Sequence, residues 1–382
     1  MRLVRWGLTT SALLLALTTL TLGVAAAVPN AGLFTGVGGV VFPTLGPWLV
    51  VLALAATFMA AWTLSWRILG TAVLATVLNL ILVVVFCAQV GSAGGSVDPV
   101  RALWIGSNSS QPDAMASYTT PDGSSFPVAV WTPAEADEPA PVLFYIHGGG
   151  WISGAPTNGG AGWEWFAERG WLVVSVGYQL ATPTEPTWDR VPEQLACGLA
   201  WAHDAVSRYG GDADRLVVTG DSAGGNLAID LAYSVADGAR TTCGPTPTVR
   251  AVAVQYPVVD PVGTWDAGFS VGSDRGADAR AFLSDYIGGS PAQFPDRYRA
   301  VTSDTYISSA APPTLVISPD HDSLIPPEGV RAFVDDARNA GIDVTRADIP
   351  FANHAYDALA SDSLGNQARL TITENWLRTR TN

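Results

Sequence analysis

The chain has 382 residues, 48% of them hydrophobic, and its 34 acidic residues outnumber its 20 basic ones, giving a formal net charge of −14. An acidic chain lacks the basic face that nucleic-acid binding requires, which excludes nucleic acid as a partner. The charge is uneven, because residues 1–97 hold three arginines and no acid, whereas residues 98–382 hold every acid. The sequence therefore predicts two domains, an apolar domain 1–97 and a globular domain 98–382.

The apolar domain contains three runs long enough to cross a bilayer core of about 30 Å as α-helices. These predicted transmembrane helices lie near residues 7–28, 47–66 and 68–90. The first run has an alternative interpretation as a cleaved signal peptide, since the small residues of VAAAVPNAG would suit a cleavage site. In either case the remaining two spans predict a multi-pass protein of the cell membrane, with the lipid bilayer as a partner.

The orientation follows from the arginines of the apolar domain, because cytoplasmic loops carry an excess of positive charge. Arg2 and Arg5 precede the first span, and Arg67 lies between the second and the third. With three spans, all of them can face the cytoplasm together. The globular domain is then expected on the extracytoplasmic side, after a linker of small residues at 91–100.

The globular domain alternates apolar runs with helical patterns. Runs typical of strands buried on both faces occupy residues 141–146, 171–178, 215–220, 249–257 and 313–318. Two further strands flank a Pro-Asp-Gly turn at 121–123. This alternation predicts an α/β fold, a mostly parallel sheet with helices on both faces. Residues 262–306 break the rhythm and are interpreted either as a lid over the carboxyl edge of the sheet or as a plain surface insertion.

Ser222 lies within GDSAGGN, directly after the strand-like RLVVT and before a helical pattern. The G-x-S-x-G pattern in a strand–turn–helix context is typical of a nucleophile elbow. A serine hydroxyl needs a base, and that base needs an acid to orient it; in this arrangement the chain order is serine, acid, histidine. The sequence therefore predicts Ser222 as a catalytic nucleophile.

His354 is the predicted base among four histidines. His147 and His203 precede the serine, and His321 directly abuts Asp322, which leaves no room for an acid on an earlier loop. The acid follows the strand at 313–318, where Asp320 and Asp322 are both available. Asp322 is favoured as the orienting acid, and Asp320 is then a turn or capping residue.

The glycine triplet of IHGGGW, residues 146–151, ends the first buried strand. A bare backbone there allows N–H groups to face a developing oxyanion. Gly148 and Gly149, with the backbone N–H of Ala223, are the predicted oxyanion hole. His147 is interpreted as a structural residue that shapes this loop.

These motifs, together with GYQLA, DADRLVVTGDSAGGNLA, QYPVVD, PPTLVISPDHDSL and NHAYD, resemble the hormone-sensitive-lipase-like family of α/β-hydrolases over about residues 115–382. The resemblance implies an α/β-hydrolase fold and carboxylic-ester hydrolysis through an acyl-enzyme at Ser222, Asp322 and His354, with no cofactor. It implies a small-molecule or lipid-like ester as substrate. The chain departs from the family where the usual Y-R-L-A-P-E reads YQLATP at 178–183, without the arginine, and where membrane spans replace soluble cap helices.

The sequence leaves open the reaction class, the pairing of two cysteines and the oligomeric state. The chemistry of the triad serves a serine peptidase or amidase as well as an esterase, and a non-catalytic binding protein on the same scaffold is a third hypothesis. Cys197 and Cys243 could pair as a disulfide if the globular domain is exported. No cluster with metal-ligand spacing is present, so no metal is expected, and the oligomeric state is not predicted.

Overall fold

A computed structural model describes residues 2–29, 32–133, 138–270 and 275–381. The chain forms two compact units. The helical unit comprises Met1–Ser107, Pro319–Ser323 and Asp348–Ile372, and the sheet unit comprises Asn108–Ser318, Leu324–Ala347 and Thr373–Asn382.

The helical unit is built on three long apolar helices, α1 (Arg2–Ala27), α2 (Leu33–Trp62) and α3 (Trp66–Ser92), each long and apolar enough to span a membrane. They pack through small residues, which allow close approach of helix backbones; the centre of this contact is Ala16, Ala56 and Ala72. Large apolar side chains point outward from all three helices: Leu13, Leu14, Leu17, Leu54, Phe58, Leu74, Ile81 and Val84. This distribution is the one that a lipid environment favours.

Two polar contacts fix the arrangement of these helices. The amide of Asn79 is fully buried and donates to the carbonyl oxygens of Thr19 and Ala75, at 3.0 and 2.8 Å. The Arg5 guanidinium donates to the carbonyl oxygen of Thr63 at 2.8 Å, which places the start of α1 beside the end of α2. The three arginines of the apolar domain therefore share one end of the bundle, as the sequence predicts.

Helix α2 differs from the predicted span because it begins at Leu33 and not near residue 47. Its first part contains glycines and Pro43, residues of low helix propensity, so the pattern alone did not indicate a helix there. Packing supplies the reason for the glycines. A Cβ at Gly38 would collide with the backbone of Ala25 and Ala26 at the end of α1.

The segment after α3 is held in place by hydrogen bonds, in contrast with the flexible linker that its composition suggests. The N–H of Ser96 donates to the Thr371 hydroxyl at 2.9 Å, and the N–H of Asp98 donates to the Gln367 side chain at 2.7 Å. Arg101 forms an ion pair with Asp362 at 2.6 Å. These partners lie more than 250 residues away in the chain, where composition gives no sign of them.

The sheet unit contains an eight-stranded sheet in the order β1-β2-β4-β3-β5-β6-β7-β8. Strand β2 pairs antiparallel with β1 and β4, while the pairs β4–β3, β3–β5, β5–β6 and β6–β7 are parallel. The strands are Ala114–Thr119, Ser125–Trp131, Ala140–Ile146, Leu172–Val176, Gly211–Asp221, Val252–Gln255, Thr314–Pro319 and Val344–Ile349. The seven predicted strands are confirmed, and every residue of β3, β4, β6 and β7 is buried, as their continuous apolar runs indicate.

Eight shorter α-helices are present in the described part of the chain. They are α4 (Gly160–Ala167), α5 (Val191–Ala205), α6 (Ala223–Ala236), α7 (Pro261–Ala267), α8 (Ala279–Ile287), α9 (Pro295–Val301), α10 (Pro327–Asn339) and α11 (Leu364–Thr381). Cys197 on α5 and Cys243 after α6 form a disulfide, with Cα atoms 5.1 Å apart. The structure thus resolves the pairing that the sequence left open.

The segment 262–306, interpreted from the sequence as a lid or a surface insertion, contains most of α7 and all of α8 and α9, and its residues 271–274 lie outside the described ranges. Helix α8 packs on the loop after β3. The ring of Tyr286 stacks on that of Trp151 at 4.4 Å, and Phe282 lies against Gly150, where a Cβ would approach its side chain to 2.9 Å. Helix α8 therefore covers this loop within the sheet unit.

Candidate active site

Ser222 lies in the single-residue turn between β5 and α6. Its φ of 54° and ψ of −121° fall in a region that L-residues rarely adopt, at a cost of about 1–3 kcal/mol. Backbone hydrogen bonds hold the turn: the N–H of Ser222 donates to the Gln255 carbonyl at 3.0 Å, and its carbonyl accepts from the N–H groups of Asn226 and Val258. A strained serine held in this way is the local geometry of a nucleophile elbow.

Gly220 and Gly224 are required by close backbone contacts around this turn. A Cβ at Gly220 would overlap the carbonyl of Gly224, and a Cβ at Gly224 would overlap the carbonyl oxygens of Ile146 and His147. Only glycine allows the start of α6 to lie against the end of β3. The G-x-S-x-G spacing thus has a steric cause, and it brings the serine turn next to the glycine loop.

The glycine loop turns sharply after β3. Gly149, Gly150 and Trp151 have φ values of 111°, 60° and 61°. Within the described ranges, no oxygen accepts a hydrogen bond from the backbone N–H of Gly148, Gly149 or Ala223. These are the three donors predicted for the oxyanion hole, and the carboxyl ends of the parallel strands β3 and β5 place them at one edge of the sheet.

His147, the first residue after β3, contacts both the glycine loop and Tyr178. Its ring stacks on Tyr178 at 4.4 Å, its Nδ1 donates to the Gly148 carbonyl at 2.8 Å, and its own carbonyl accepts from the Tyr178 hydroxyl at 2.9 Å. Burial lowers the pKa of His147 to about 4, so the ring is neutral at physiological pH. These contacts agree with a structural role for His147.

Gln179 stands where the resembling family carries an arginine, and the structure places a different arginine nearby. The Gln179 amide donates to Glu185 at 3.1 Å and accepts from the Gln194 amide at 3.2 Å. Arg190, immediately before α5, pairs with the same Glu185 carboxylate at 3.0 Å. Glu185 therefore contacts both Gln179 and Arg190.

Asp322 and His354 come together on the loops that follow β7 and β8. The Nδ1 of His354 lies 2.9 Å from Oδ2 of Asp322, and the two side chains are 14% and 2% exposed. Because a carboxylate can only accept, Nδ1 carries the proton of this hydrogen bond. Asp320, the alternative acid, is exposed, and its backbone N–H bonds to Ile349.

Asn353 is a functional candidate that sequence reasoning missed. Its Oδ1 accepts three hydrogen bonds, from the N–H of His354 at 2.7 Å, the N–H of Ser323 at 2.9 Å and the Ser323 hydroxyl at 3.1 Å. The side chain is 4% exposed. It therefore joins the loop of the acid to the loop of the base. Only its position next to the histidine could have signalled this role.

A family model described as BD-FAE matches residues 128–336, which is more than half of the chain. The chain belongs to this family. The matched region includes the glycine loop, Ser222 and Asp322, and it ends before His354. The resemblance to hormone-sensitive-lipase-like α/β-hydrolases is confirmed.

Three curated proteins are similar to this chain in sequence. The "Probable carboxylic ester hydrolase LipM" of Mycobacterium tuberculosis is 32% identical over 237 residues, 58% of this chain and 51% of its own. "Esterase LipC" of the same organism is 30% identical over 241 residues, 60% of this chain and 57% of its own. The "Ethyl acetate hydrolase" of Pseudomonas putida is 29% identical over 314 residues, 72% of this chain and 89% of its own. The chain thus spans about half the length of the first two.

Solved structures confirm the α/β-hydrolase fold. The esterase LipW from Mycobacterium marinum has a TM-score of 0.59 at 24% identity, covering 79% of this chain and 87% of that one. A thermostable esterase from Pseudomonas putida ECU1011 has a TM-score of 0.59 at 21% identity, covering 78% of this chain and 89% of that one.

One group of potential metal ligands is present among the described residues, formed by Glu193, Cys197 and Cys243. The two sulfurs are joined in the disulfide, so they cannot bind a metal as thiolates. The group therefore does not have the chemistry of a metal site.

Proposed function

We propose that this chain is a serine carboxylic-ester hydrolase, anchored in a membrane by α1–α3, that acts on small-molecule or lipid-like esters through an acyl-enzyme. The strained Ser222 between two obligatory glycines is the observation that carries the proposal, because a turn of this kind presents a hydroxyl for attack. The Asp322–His354 pair supplies the base that such a hydroxyl needs. The names of the curated relatives favour an ester substrate.

In the proposed mechanism, Nε2 of His354 takes the proton from the Ser222 hydroxyl as the oxygen attacks the ester carbonyl carbon. Negative charge develops on the carbonyl oxygen and is stabilised by the N–H groups of Gly148, Gly149 and Ala223, each worth about 3 kcal/mol. The intermediate collapses, and the alcohol leaves with the proton from His354. Water then attacks the acyl-enzyme by the same route, which releases the acid and restores the serine.

The proposal keeps the predicted division into a membrane domain, 1–97, and a catalytic domain, 98–382, with 262–306 as a lid over the site. Support for the lid comes from α8, whose Tyr286 and Phe282 cover the glycine loop at Trp151 and Gly150. A segment that packs on the loop of the oxyanion donors is well placed to limit the size of the ester that enters.

The test of the mechanism is covalent labelling of the full chain in detergent micelles. Diethyl p-nitrophenyl phosphate should phosphorylate one serine per chain, with the added mass on the peptide that contains Ser222. The Ser222→Ala variant should take no label, and the variant of an exposed serine, Ser207→Ala, should label like the wild type. Labelling elsewhere, or ester turnover unchanged in Ser222→Ala, would remove the proposal. Faster turnover of a p-nitroanilide than of the matching p-nitrophenyl ester would favour an amidase.

We also propose that the catalytic domain lies on the extracytoplasmic side. Arg2, Arg5 and Arg67 favour a cytoplasmic location for their end of the bundle. The Cys197–Cys243 disulfide agrees with this, because such bonds persist in oxidising compartments.

The orientation is tested with a membrane-impermeant maleimide on bacterial spheroplasts. Ser207→Cys, on an exposed position of the catalytic domain, should be labelled in intact spheroplasts. Leu64→Cys, exposed at the turn between α2 and α3, should be labelled only after the membrane is permeabilised. The reverse pattern would place the catalytic domain in the cytoplasm.

A further inference from the structure

Helix α2 contacts the loop of the proposed catalytic base. The backbone N–H of Asn353 donates to the carbonyl oxygen of Gly39 at 2.9 Å, and the rings of Phe42 and Phe351 meet edge to face with centroids 5.7 Å apart. Asn353 in turn accepts from the N–H of His354 and from Ser323, which follows Asp322. A chain of contacts therefore runs from α2 through Asn353 to His354 and to Ser323, the residue after Asp322.

The Gly39 carbonyl is available for this contact because of Pro43. In an α-helix the carbonyl of residue i accepts from the N–H of residue i+4, and proline has no N–H. Pro43 stands at i+4 from Gly39, inside α2. The carbonyl of Gly39 thus has no helical donor, and Asn353 supplies one from another part of the chain.

The absence of a side chain at Gly39 is also required. A Cβ there would lie 2.8 Å from the Cβ of Asn353 and 2.9 Å from its backbone nitrogen, which is closer than such atoms approach. One turn earlier, a Cβ at Gly36 would lie 3.5 Å from the Asn353 amide, an ordinary contact. The close approach is therefore specific to Gly39.

The length of α2 allows this contact to lie outside the lipid. Thirty residues at 1.5 Å each span about 45 Å, whereas a bilayer core is about 30 Å thick. With the end near Arg67 in the cytoplasm, the first turns of α2 extend beyond the hydrocarbon. Residues Thr35, Gly38, Gly39 and Phe42 of these turns are buried within the protein.

We propose that Gly39 and Pro43 of α2 form a docking point for Asn353, and that Asn353 is a positioning residue that holds the His354 and Asp322 loops in register. The expected effect on kcat rests on the proposed hydrolase function, whereas the docking point itself does not. The membrane helices are then part of the support of the catalytic base, beyond their role as an anchor. Small displacements of a catalytic group lower kcat strongly, by up to about 100-fold for 1 Å.

The test compares matched variants of the full chain in detergent micelles. Gly39→Ala forces the loop away, and Pro43→Ala introduces an N–H that competes for the Gly39 carbonyl. The controls are Gly36→Ala, where the added Cβ makes an ordinary contact, and Pro47→Ala, which removes the other proline inside α2. The kcat for a p-nitrophenyl ester should fall about 10- to 100-fold in Gly39→Ala and several-fold in Pro43→Ala. The KM should stay within about twofold of the wild type, and the controls should retain wild-type kcat.

A second measurement separates this inference from the proposed function. Hydrogen exchange of the segment 349–356 should be faster in Gly39→Ala and Pro43→Ala than in their controls, because the Asn353 N–H loses its acceptor. This readout needs no turnover. A wild type that hydrolyses no ester would refute the proposed function alone, whereas unchanged exchange and unchanged kcat in both variants would refute the docking point. If Gly39→Ala fails to fold, Pro43→Ala decides, since it adds no side-chain atom that would collide with Asn353.

Discussion

The Asp322→Asn variant is expected to lose about four orders of magnitude in kcat for ester hydrolysis, with little change in KM. The Asp322 carboxylate accepts the Nδ1 proton of His354 at 2.9 Å, and in the proposed mechanism Nε2 is the atom that accepts a proton. An asparagine in the same place can turn its NH₂ group toward Nδ1. The imidazole would then carry its proton on Nε2, facing the reaction, and could not act as the base.

Asp320→Asn is the matched control for this change, because it alters the other acid of the same loop. Asp320 is exposed, and the substitution keeps its backbone N–H, which donates to the Ile349 carbonyl. We expect its kcat to stay within about twofold of the wild type, as for surface changes in general. The measurement is steady-state turnover of a p-nitrophenyl ester, alongside melting temperatures of both variants. A large loss in Asp320→Asn with a small one in Asp322→Asn would reverse the assignment of the acid.

The strands and the serine turn could be predicted because their signals are local. Runs such as PVLFYI and PTLVIS are apolar at every position, which is typical of strands covered on both faces, and both are fully buried. Ser222 was recognisable because both flanking glycines sit at fixed distances from it, and each is needed to avoid a backbone overlap. The requirement at Gly220 comes from Gly224, within five residues, whereas that at Gly224 comes from Ile146 and His147; the pattern is readable because both glycines stand at fixed distances from the serine.

The first turns of α2 could not be predicted, because their stability comes from contacts with distant parts of the chain. Glycine and proline lower helix propensity, so the sequence from Leu33 to Pro47 suggests a break. In the structure Gly38 fits against the end of α1, and Gly39 fits against Asn353, more than 300 residues away in the chain. Tertiary contacts therefore override local propensity at the residues that dock on the base loop.

The role of Asn353 in the candidate site could not be predicted from the sequence either, because it contacts residues that are distant in the chain. Three hydrogen bonds to its Oδ1 join two loops, yet an asparagine in a loop is commonly a turn residue and has no motif of its own. Its role becomes apparent only when β7 and β8 have placed Ser323 and His354 near each other. Motifs identify the groups that react, and the residues that hold them are found from the fold.

The Gly224→Ala variant is expected to lose both folded protein and activity, with a decrease in the free energy of unfolding of about 4 kcal/mol or more. The new Cβ would overlap two backbone carbonyl oxygens, those of Ile146 and His147. Backbone atoms of a buried strand end cannot move aside as a flexible side chain can. Relief requires the start of α6 to move away from β3, which would also displace the Ala223 N–H from the glycine loop.

Gly225→Ala provides the comparison, since it adds the same methyl group one residue later. Its nearest neighbours are Pro257 atoms at 3.0 and 3.2 Å, which need to shift by only a few tenths of an ångström. We expect a smaller loss, about 1–3 kcal/mol, as for other tight core substitutions. Melting temperature, yield of folded protein and covalent labelling at Ser222 measure the two variants side by side. Equal stability and equal labelling of Gly224→Ala and the wild type would contradict the steric account of the G-x-S-x-G spacing, because the overlap is with backbone and leaves no side-chain rearrangement to absorb it.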